Sequence, residues 1–349
     1  MPILTRQQRR HMGKLALMLL LIMLTACQPI VDNRTPVEKA FGAGELMAIN
    51  GTELFVKVVG EGEPIIMLHG GPGAEHIFFS KYTEALADDH QLIYYDQRST
   101  GFSIPDTEPT HLTIDTFVED LEGIRQALQL DKVTLLGWSW GSASAQAPPF
   151  FISLDKVTLL GWSWGGNLAM YYAANYPQHL KGIILVDPGN VDPKFDEAFN
   201  AKFEERATPE ELAALDAAFQ KLTTEKSGEA YNAFARLLLP IYMADKSLIH
   251  GLEIVIPDNS AIYGDAVAAG LFTDLETYDE LAAIATITSP TLIIHGDEDL
   301  IPLESSQQIH EAIAGSQLVV LEGIGHIPFV EAPVAFFAAV RDFMQQITE

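Results

Sequence analysis

One serine in the chain has the sequence context of a hydrolytic nucleophile. The segment Gly161-Trp-Ser163-Trp-Gly165 matches the pattern G-x-S-x-G, and it lies between a short apolar run and a stretch of helical character. In this context the serine occupies a sharp turn between a strand and a helix, and the flanking glycines allow the close packing of that turn. The pattern therefore predicts a nucleophile at Ser163, with an ordinary glycine-rich turn as the alternative.

A serine hydroxyl needs a base that takes its proton, and the base needs an acid that orients it. The last apolar run of the chain is followed by Gly325-His326, which places an imidazole at the end of a predicted strand. The apolar run at 291–295 is followed by His295-Gly-Asp297-Glu-Asp299, which places carboxylates at the end of another predicted strand. We predict that His326 is the base and that Asp299 is the acid, with Asp297 and Asp187 as the alternatives for the acid.

Acyl transfer also needs backbone N–H groups that stabilise the negative oxygen of the transition state. The segment His69-Gly-Gly71-Pro-Gly73 follows the third predicted strand, and its glycines allow the backbone to approach a ligand closely. We predict that the amides of Gly71 and Trp164 form this oxyanion hole, with a simple tight turn as the alternative. His69 and His295 are interpreted as structural residues near strand ends.

The elements that must position these residues alternate along the chain. Eight apolar or β-rich runs are predicted strands, at 45–49, 53–59, 64–68, 91–95, 157–160, 182–186, 291–295 and 317–321. Five stretches between or after them are predicted helices, at 77–88, 113–129, 167–176, 303–313 and 333–347. The alternation predicts an α/β fold with a mainly parallel eight-stranded sheet and helices on both faces.

A long helical stretch interrupts this alternation. Residues 194–285 are rich in Ala, Glu and Leu, and they predict a helical cap between two parts of the core, 45–193 and 286–349. Glu204 and Glu205 on this cap are candidates for contact with a substrate ammonium group, but we favour a solvated helix face.

Twelve residues occur twice without change, at 130–141 and at 154–165. The two copies compete for one place in the sheet. The first copy runs into Pro148-Pro149, which cannot continue a helix, whereas the second runs into a good helix start. We therefore predict that the second copy forms the nucleophile turn and that 131–154 is an inserted duplication at the surface.

The N-terminus has the pattern of a bacterial export signal. A basic head is followed by an apolar run at 15–24 that is too short to span a bilayer. Leu24-Thr-Ala-Cys27 resembles the lipobox of bacterial lipoproteins, which implies cleavage of residues 1–26, lipidation of Cys27 and a tether at 27–44. Because Gln28 and not Asp follows the cysteine, the resemblance implies an outer-membrane protein that faces the periplasm. A plain signal peptide and an uncleaved anchor are the alternatives.

Composition excludes several classes of protein. Of the 349 residues, 48% are hydrophobic, enough for a large core, and a single cysteine can form neither an internal disulfide nor a cysteine-type zinc site. The 47 acidic and 21 basic residues give a net charge of -26, which argues against nucleic-acid binding. Without residues 1–26 the net charge falls to -30, so acyl chains on Cys27 and not surface charge would hold the protein on a membrane.

Five segments together resemble the prolyl iminopeptidase branch of the α/β-hydrolases, and the resemblance covers residues 45–347. They are His69-Gly-Gly71-Pro-Gly73, Asp96-Gln-Arg98-Ser-Thr-Gly101-Phe-Ser103, the Trp-flanked Ser163, His295-Gly-x-x-Asp299 and Gly325-His326. The chain order Ser163, Asp299, His326 is also that of α/β-hydrolases. Two features depart from the family: Ser99 stands where glycine is usual, and the nucleophile turn is duplicated.

The resemblance implies an α/β-hydrolase fold and a serine hydrolase that releases N-terminal residues, often proline, from peptides without a metal or cofactor. It also implies that Asp96 and Arg98 support the architecture of the site. The first alternative is an esterase that acts on small esters, because this fold hosts many reactions. The second is a lipid-anchored binding protein whose site the duplication has damaged. The sequence contains no signal for an oligomeric state.

Overall fold

The computed structural model describes residues 44–106, 108–130, 133–134, 151–152 and 157–348. The predicted signal at 1–26, Cys27, nearly all of the predicted tether at 27–44 and most of the predicted insertion at 131–154 lie outside these residues. Ten strands are present in the described part of the chain: β1 Glu45–Ile49, β2 Thr52–Val59, β3 Glu63–Leu68, β4 His90–Tyr95, β5 Val133–Thr134, β6 Phe151–Ile152, β7 Val157–Trp162, β8 Leu180–Val186, β9 Thr291–Gly296 and β10 Gln317–Leu321.

Helices lie between and after these strands in the described residues. They are α1 His76–Thr83, α2 Ile114–Ala127, α3 Trp164–Asn175, α4 Asp196–Arg206, α5 Pro209–Glu225, α6 Gly228–Tyr242, α7 Asp258–Leu275, α8 Glu280–Ile284, α9 Leu303–Ala312, α10 Pro328–Glu331 and α11 Pro333–Thr348. Short 3-10 turns lie between several of them. Where the sequence predicted one helix over 77–88, the chain forms α1 and then a 3-10 turn, Glu84–Asp88. Within the described residues, no helix combines the length and apolarity that a membrane span requires.

The main sheet has eight strands in the order β1-β2-β4-β3-β7-β8-β9-β10. The pairs β1–β2 and β2–β4 are antiparallel, and the remaining neighbours are parallel. The predicted α/β architecture with a mainly parallel eight-stranded sheet is therefore confirmed. Parallel strands place their carboxyl ends at the same edge of the sheet, so the loops that follow β3, β7, β9 and β10 meet there.

Helices cover both faces of the sheet, and β3 shows how the core is divided. Ile65 and Met67 belong to the apolar cluster that includes residues of α1 and α11, whereas Ile66 and Leu68 belong to the cluster that includes residues of α2 and α3. Because successive side chains of a strand point to opposite faces, a strand buried on both faces is apolar throughout. This explains why the predicted core strands are continuous apolar runs.

The second copy of the repeat supplies the central strand. β7 lies between β3 and β8, with Leu160 paired with Met67 on one side and with Ile184 on the other. The corresponding start of the first copy forms β5, which pairs with β6 in a separate two-stranded ladder. Of the two copies, the second therefore occupies the place in the main sheet.

Helices α4 to α8 form a helical segment between β8 and β9, within the stretch that was predicted as a cap. One attachment of the segment to the core is made by α7. Ser260 Oγ accepts a hydrogen bond from the Gly101 amide at 3.0 Å and donates one to the Ala74 carbonyl at 3.3 Å. A Cβ atom on Gly73 would lie 2.9 Å from the Cα of Gly264, so the loop after β3 packs directly on α7. The segment thus lies against the loops at the carboxyl ends of the strands.

Candidate active site

Ser163 lies on a strained turn between β7 and α3. Its backbone has φ 55° and ψ -123°, a conformation that non-glycine residues rarely adopt. The Ser163 amide donates a hydrogen bond to the Val186 carbonyl at 2.9 Å, and the Ser163 carbonyl accepts one from the Gly166 amide at 2.8 Å. A Cβ atom on Gly161 would lie 2.1 Å from the Gly165 carbonyl oxygen, so this turn requires glycine at Gly161. The surrounding contacts therefore hold the serine at the end of the strand.

His326 and Asp299 are brought together by the loops after β10 and β9. His326 Nδ1 lies 2.8 Å from Asp299 Oδ2, and the other carboxylate oxygen of Asp299 accepts a hydrogen bond from the Ile301 amide at 3.2 Å. Asp299 is fully buried and His326 is 4% exposed. When His326 Nδ1–H donates a hydrogen bond to the Asp299 carboxylate, Nε2 of the neutral ring is left as a proton acceptor.

The two other candidate acids occupy different places. Asp297 accepts a hydrogen bond from the Gly323 amide at 2.6 Å and so ties two loops together. Asp187 is fully buried after β8, where its carboxylate accepts a hydrogen bond from the Gly296 amide at 2.9 Å. Among the described residues, the carboxylate that contacts the His326 ring is that of Asp299, and neither Asp297 nor Asp187 makes a hydrogen bond to this ring. The geometry therefore favours Asp299 as the residue that orients His326.

The loop that carries His326 is fixed by aromatic neighbours. The indole Nε1 of Trp162 donates a hydrogen bond to the His326 carbonyl at 2.8 Å, and the His326 amide donates one to the Tyr242 carbonyl at 3.0 Å. The imidazole centroid lies 5.2 Å from the Tyr242 ring centroid and 5.6 Å from that of Trp162. The residue directly before Ser163 thus positions the backbone of His326.

Ser163 and His326 line the same cavity, which has a volume of about 190 Å³. Its walls are formed by the loops after β3, β7 and β10 together with α1, α6 and the segment before α7. The other described lining residues are Gly71, Ala74, Glu75, Phe78, Trp162, Tyr231, Ala235, Leu238, Leu239, Tyr242, Ile254 and Ile256. Most of this lining is apolar, and Glu75 is the one carboxylate among these described residues.

Glu75 is a functional candidate that the sequence analysis did not single out. It is 4% exposed and caps α1, since its carboxylate accepts a hydrogen bond from the Ile77 amide. Burial raises the pKa of Glu75 well above its usual value, and the negative charge of Asp96 adds to the effect. In the sequence, the one indication of this role is that Glu75 comes two residues after Gly73, at the end of the predicted oxyanion loop. By contrast, Glu204 and Glu205 are exposed on α4 and are not among the lining residues.

The predicted oxyanion-hole residues lie next to Ser163. Gly71 lines the cavity and has φ +131°, a conformation that favours glycine. Trp164 begins α3 directly after Ser163, and its indole donates a hydrogen bond to Gln97 Oε1 at 3.1 Å. The structure therefore places Gly71 on the same cavity as Ser163 and Trp164 directly after Ser163, and their role as oxyanion donors stays a prediction.

Comparison with known proteins identifies the family to which this architecture belongs. A family model described as alpha/beta hydrolase fold matches residues 63–147 and 152–333. The chain belongs to the α/β-hydrolase family. It is 28% identical over 315 residues to a proline iminopeptidase of Lactobacillus helveticus (strain DPC 4571), covering 87% of this chain and 98% of the relative. It is 25% identical to the proline iminopeptidase of Saccharolobus solfataricus, covering 88% and 92%.

Solved structures show the same α/β-hydrolase fold. An esterase from Exiguobacterium antarcticum superposes with a TM-score of 0.57 at 23% identity, covering 86% of this chain and 99% of the esterase. A putative lipase from Acinetobacter baumannii superposes with a TM-score of 0.62 at 18% identity, covering 89% and 94%. At these identities the similarity shows the fold alone.

Two buried histidines of this α/β-hydrolase have structural hydrogen bonds. His69 Nε2 accepts a hydrogen bond from the Gln97 amide at 3.1 Å, so His69 Nδ1 donates to the Gly70 carbonyl at 2.8 Å. Burial lowers the pKa of His69 to about 4, which keeps the ring neutral. His295 lies 2.9 Å from Ser306 Oγ and 3.1 Å from the Ile301 carbonyl, and burial lowers its pKa as well. Both rings agree with the structural interpretation.

Asp96 fixes the start of the loop at 96–103 in this α/β-hydrolase. One carboxylate oxygen of Asp96 accepts hydrogen bonds from the amide and from Nδ1 of His76, both at 2.8 Å, and the other accepts one from the Phe102 amide at 2.7 Å. Burial alone would raise the pKa of Asp96, but these donors and the charge of His76 outweigh it, so the pKa is lowered. Asp96 supports the loops beside the cavity.

The same loop explains the departure from the family at position 99. Ser99 has φ 63°, in the left-handed region where glycine is favoured, and its hydroxyl donates to the Asp106 carbonyl at 2.7 Å and accepts from the Asp106 amide at 2.7 Å. The neighbouring Arg98 binds Asp120 through two hydrogen bonds, of 2.9 and 2.7 Å, and Asp106 at 2.5 Å. These contacts stabilise a serine at a glycine-type position.

Two buried clusters in the described residues contain carboxylate and imidazole groups whose potential ligand atoms lie within 4.8 Å of one another. They are Glu75, His76 and Asp96, and Asp187, His295 and Asp299. Hydrogen bonds to backbone amides and between ring and carboxylate occupy most of these atoms; His76 Nε2 and Asp187 Oδ2 are exceptions. Side chains of this kind are able to hold a metal, but the hydrogen bonds account for most of both arrangements.

Proposed function

We propose that this α/β-hydrolase is a serine aminopeptidase that releases an N-terminal residue of the proline type from short peptides. The observation that supports this reading most is the content of the small cavity. Ser163 and His326 line it together with a buried carboxylate, Glu75, and the remaining walls are largely apolar. The proline iminopeptidases that match over most of the chain favour the same reaction.

In the proposed reaction, Nε2 of His326 takes the hydroxyl proton while Ser163 Oγ attacks the carbonyl carbon of the first residue. The amides of Gly71 and Trp164 stabilise the resulting oxyanion. His326 then returns the proton to the leaving peptide nitrogen as the C–N bond breaks. Water repeats the attack on the acyl-enzyme and releases the free amino acid and Ser163. Asp299 holds the His326 ring and stabilises its protonated form during both steps.

Glu75 is the residue from which we infer the class of substrate. A buried carboxyl group with a raised pKa is stabilised in its ionised form when an ammonium group binds beside it. The N-terminal ammonium of a peptide is such a group, and its charge-assisted bond to Glu75 would hold the first carbonyl near Ser163. The apolar walls, which include Phe78 and Leu239, would contact the ring or short side chain of the first residue.

Lipid anchoring is the second part of the proposal. The segment Leu24-Thr-Ala-Cys27 supports a lipoprotein that is acylated on Cys27 and faces the periplasm from the outer membrane. Metabolic labelling with a palmitate probe should label the wild-type protein and not Cys27→Ser. Recovery of both proteins in the soluble periplasmic fraction without label would contradict this part.

A carboxylesterase is the alternative function, and one observation favours it. Apart from Glu75 the described cavity lining contains no carboxylate, and a protonated Glu75 would tolerate an uncharged acyl group. An esterase is also among the solved structures of similar fold. On this reading the cavity would hold the acyl chain of a small ester.

A substrate panel on the full-length protein in detergent separates the two functions. We expect proline and alanine arylamides to be cleaved with higher kcat/KM than their N-acetylated forms and than short acyl esters. Loss of a charge-assisted contact costs roughly 1.5–3 kcal/mol, or about tenfold to over a hundredfold in kcat/KM. Equal or faster cleavage of the acetylated arylamides would reject the aminopeptidase and support the esterase.

A further inference from the structure

Asp187 is a buried carboxyl group that the proposed reaction does not use. It follows β8 with φ 43°, and its amide donates a hydrogen bond to the Ile294 carbonyl at 2.9 Å. Its Oδ1 atom accepts a hydrogen bond from the Gly296 amide at 2.9 Å. Its Oδ2 atom is buried and has no hydrogen-bond donor among the described residues. Burying an ionised carboxylate oxygen without a hydrogen-bond donor costs free energy, so the protonation state of Asp187 has to account for Oδ2.

Asp187 faces Asp299, and carboxylate oxygens of the two residues lie within 4.8 Å of each other. His295 Nδ1 lies 3.6 Å from Asp187 Oδ1, but this nitrogen is also 2.9 Å from Ser306 Oγ, whereas Nε2 contacts the Ile301 carbonyl. A neutral His295 with its proton on Nε2 accepts from Ser306 and offers Asp187 no donor. Of these two neighbours, Asp299 is therefore the one with which the Asp187 carboxyl group can share a proton.

Two buried carboxyl groups whose oxygens lie within 4.8 Å of each other cannot both be ionised at low cost, and such pairs tend to hold one proton between them. Burial raises the pKa of Asp187 well above its usual value, and the charges of Asp299 and Glu331 act in the same direction. Asp299 receives hydrogen bonds from the His326 ring and the Ile301 amide. Because these donors stabilise the ionised form of Asp299, the shared proton belongs on Asp187.

We propose that Asp187 is a positioning residue whose carboxyl proton, on Oδ2, is donated to Asp299 and fixes that carboxylate against His326. This inference rests on the proposed function, since it assigns Asp299 the role of orienting the base. Asp187 is not among the described residues that line the cavity of Ser163 and His326. Its effect passes through one hydrogen bond to the carboxylate that holds the imidazole.

The proposal predicts the sign of a pH effect. If Asp187 donates a proton to Asp299, removing that donor concentrates the negative charge of Asp299 on His326 and favours the protonated imidazole. The acid limb of the pH–rate profile, where protonation of His326 stops the reaction, then moves to higher pH. If Asp187 is instead ionised, removing it takes away a negative charge, and the acid limb moves to lower pH. The two charge states of Asp187 thus give opposite shifts.

The test measures the rate of fluorophosphonate labelling of the full-length protein against pH, so it does not depend on substrate class. We expect Asp187→Ala to slow labelling severalfold and to move its acid limb up by about half to one pH unit. We expect Asp187→Asn, whose amide also donates to Asp299, to restore the wild-type limb. A limb that moves to lower pH in both variants would overturn the proposal, as would an unmoved limb in a folded Asp187→Ala protein.

A second measurement does not require activity, and it tests the proposal even if Asp187→Ala does not fold. Infrared spectra at neutral pH should show a protonated-carboxyl C=O band that Asp187→Asn lacks and that Asp297→Asn, a matched control for a loop carboxylate, retains. Glu75→Gln identifies the separate band of Glu75. Absence of any difference between wild type and Asp187→Asn would overturn the proposal. Complete failure of fluorophosphonate labelling with the band present would instead reject the proposed function and leave the protonated Asp187 established.

Discussion

The indole of Trp162 donates a hydrogen bond of 2.8 Å to the carbonyl oxygen of His326, so the residue that precedes the nucleophile turn holds the loop of the base. Both groups are buried, and removal of the donor would leave the carbonyl oxygen without this partner. The turn after β7 and the loop after β10 are thereby linked in one arrangement.

Substitution of Trp162 by Phe should therefore weaken catalysis more than folding. Loss of a buried neutral hydrogen bond costs about 1 kcal/mol, and we expect kcat to fall several-fold to about tenfold with a smaller change in KM. Steady-state kinetics on an alanine arylamide measures this effect. Trp138→Phe, the equivalent change in the first copy of the repeat, is the matched control and should leave kcat unchanged. A loss of the same size in Trp138→Phe would contradict the assignment.

Ser163 and Ser139 are the equivalent serines of the two copies, and they should differ completely in reactivity. Ser163 stands between β7 and α3 at a strained turn, which is the geometry of an exposed nucleophile. We expect Ser163→Ala to abolish fluorophosphonate labelling and Ser139→Ala to retain it. Mass spectrometry of the labelled peptide locates the adduct, although the repeat requires a digest that separates the copies. Labelling that persists in Ser163→Ala and disappears in Ser139→Ala would show that the first copy is the active one.

Deletion of 131–154 should raise the melting temperature and retain activity. β7 already fills the place between β3 and β8, whereas Val133–Thr134 pairs outside the main sheet. An apolar strand segment without a place in the sheet exposes an edge that favours aggregation. Calorimetry and arylamide kinetics on the deletion variant test the expectation. A variant that is both less stable and inactive would show that the two copies are built into the fold.

Local patterns were enough to predict the sheet and the order of the candidate site residues. Continuous apolar runs identified the core strands, because strands covered by helices on both faces have no polar side. Ser163, Asp299 and His326 follow β7, β9 and β10, so knowledge of the parallel sheet places them at one edge. The proximity of Asp299 to His326 then follows from topology, and the observed 2.8 Å contact is consistent with it.

Other parts of the site depend on contacts that no local pattern contains. Glu75 was missed because its importance arises from the walls around it, which α6 and residues far along the chain supply. Asp187 was considered as an alternative to Asp299, but the sequence could not show that the two carboxyl groups face each other. The helix predicted over 77–88 ends early because the chain tightens into a 3-10 turn at Glu84. Such features are set by tertiary packing.

The raised pKa of Glu75 predicts a pH-dependent effect on stability. Between the ordinary glutamate pKa and the raised pKa of the folded protein, the native state holds a proton that the unfolded chain has lost, so stability falls as pH rises. The substitution Glu75→Gln removes the titrating group and with it this decrease in stability. We expect its melting temperature to be close to wild type near pH 4 and to exceed it increasingly toward neutral pH. Glu204→Gln, an exposed control, should show no such divergence, and a constant offset in Glu75→Gln would contradict the assigned pKa shift.

The most direct test of the aminopeptidase assignment measures kcat/KM of wild type and Glu75→Gln on alanine arylamide and on its N-acetylated form. If Glu75 binds the substrate ammonium, the wild-type preference for the free amine is about tenfold or more, and it collapses in Glu75→Gln because only the free-amine substrate loses activity. The acetylated substrate should be cleaved at similar rates by both proteins. An unchanged preference in Glu75→Gln, or equal losses on both substrates, would contradict the account.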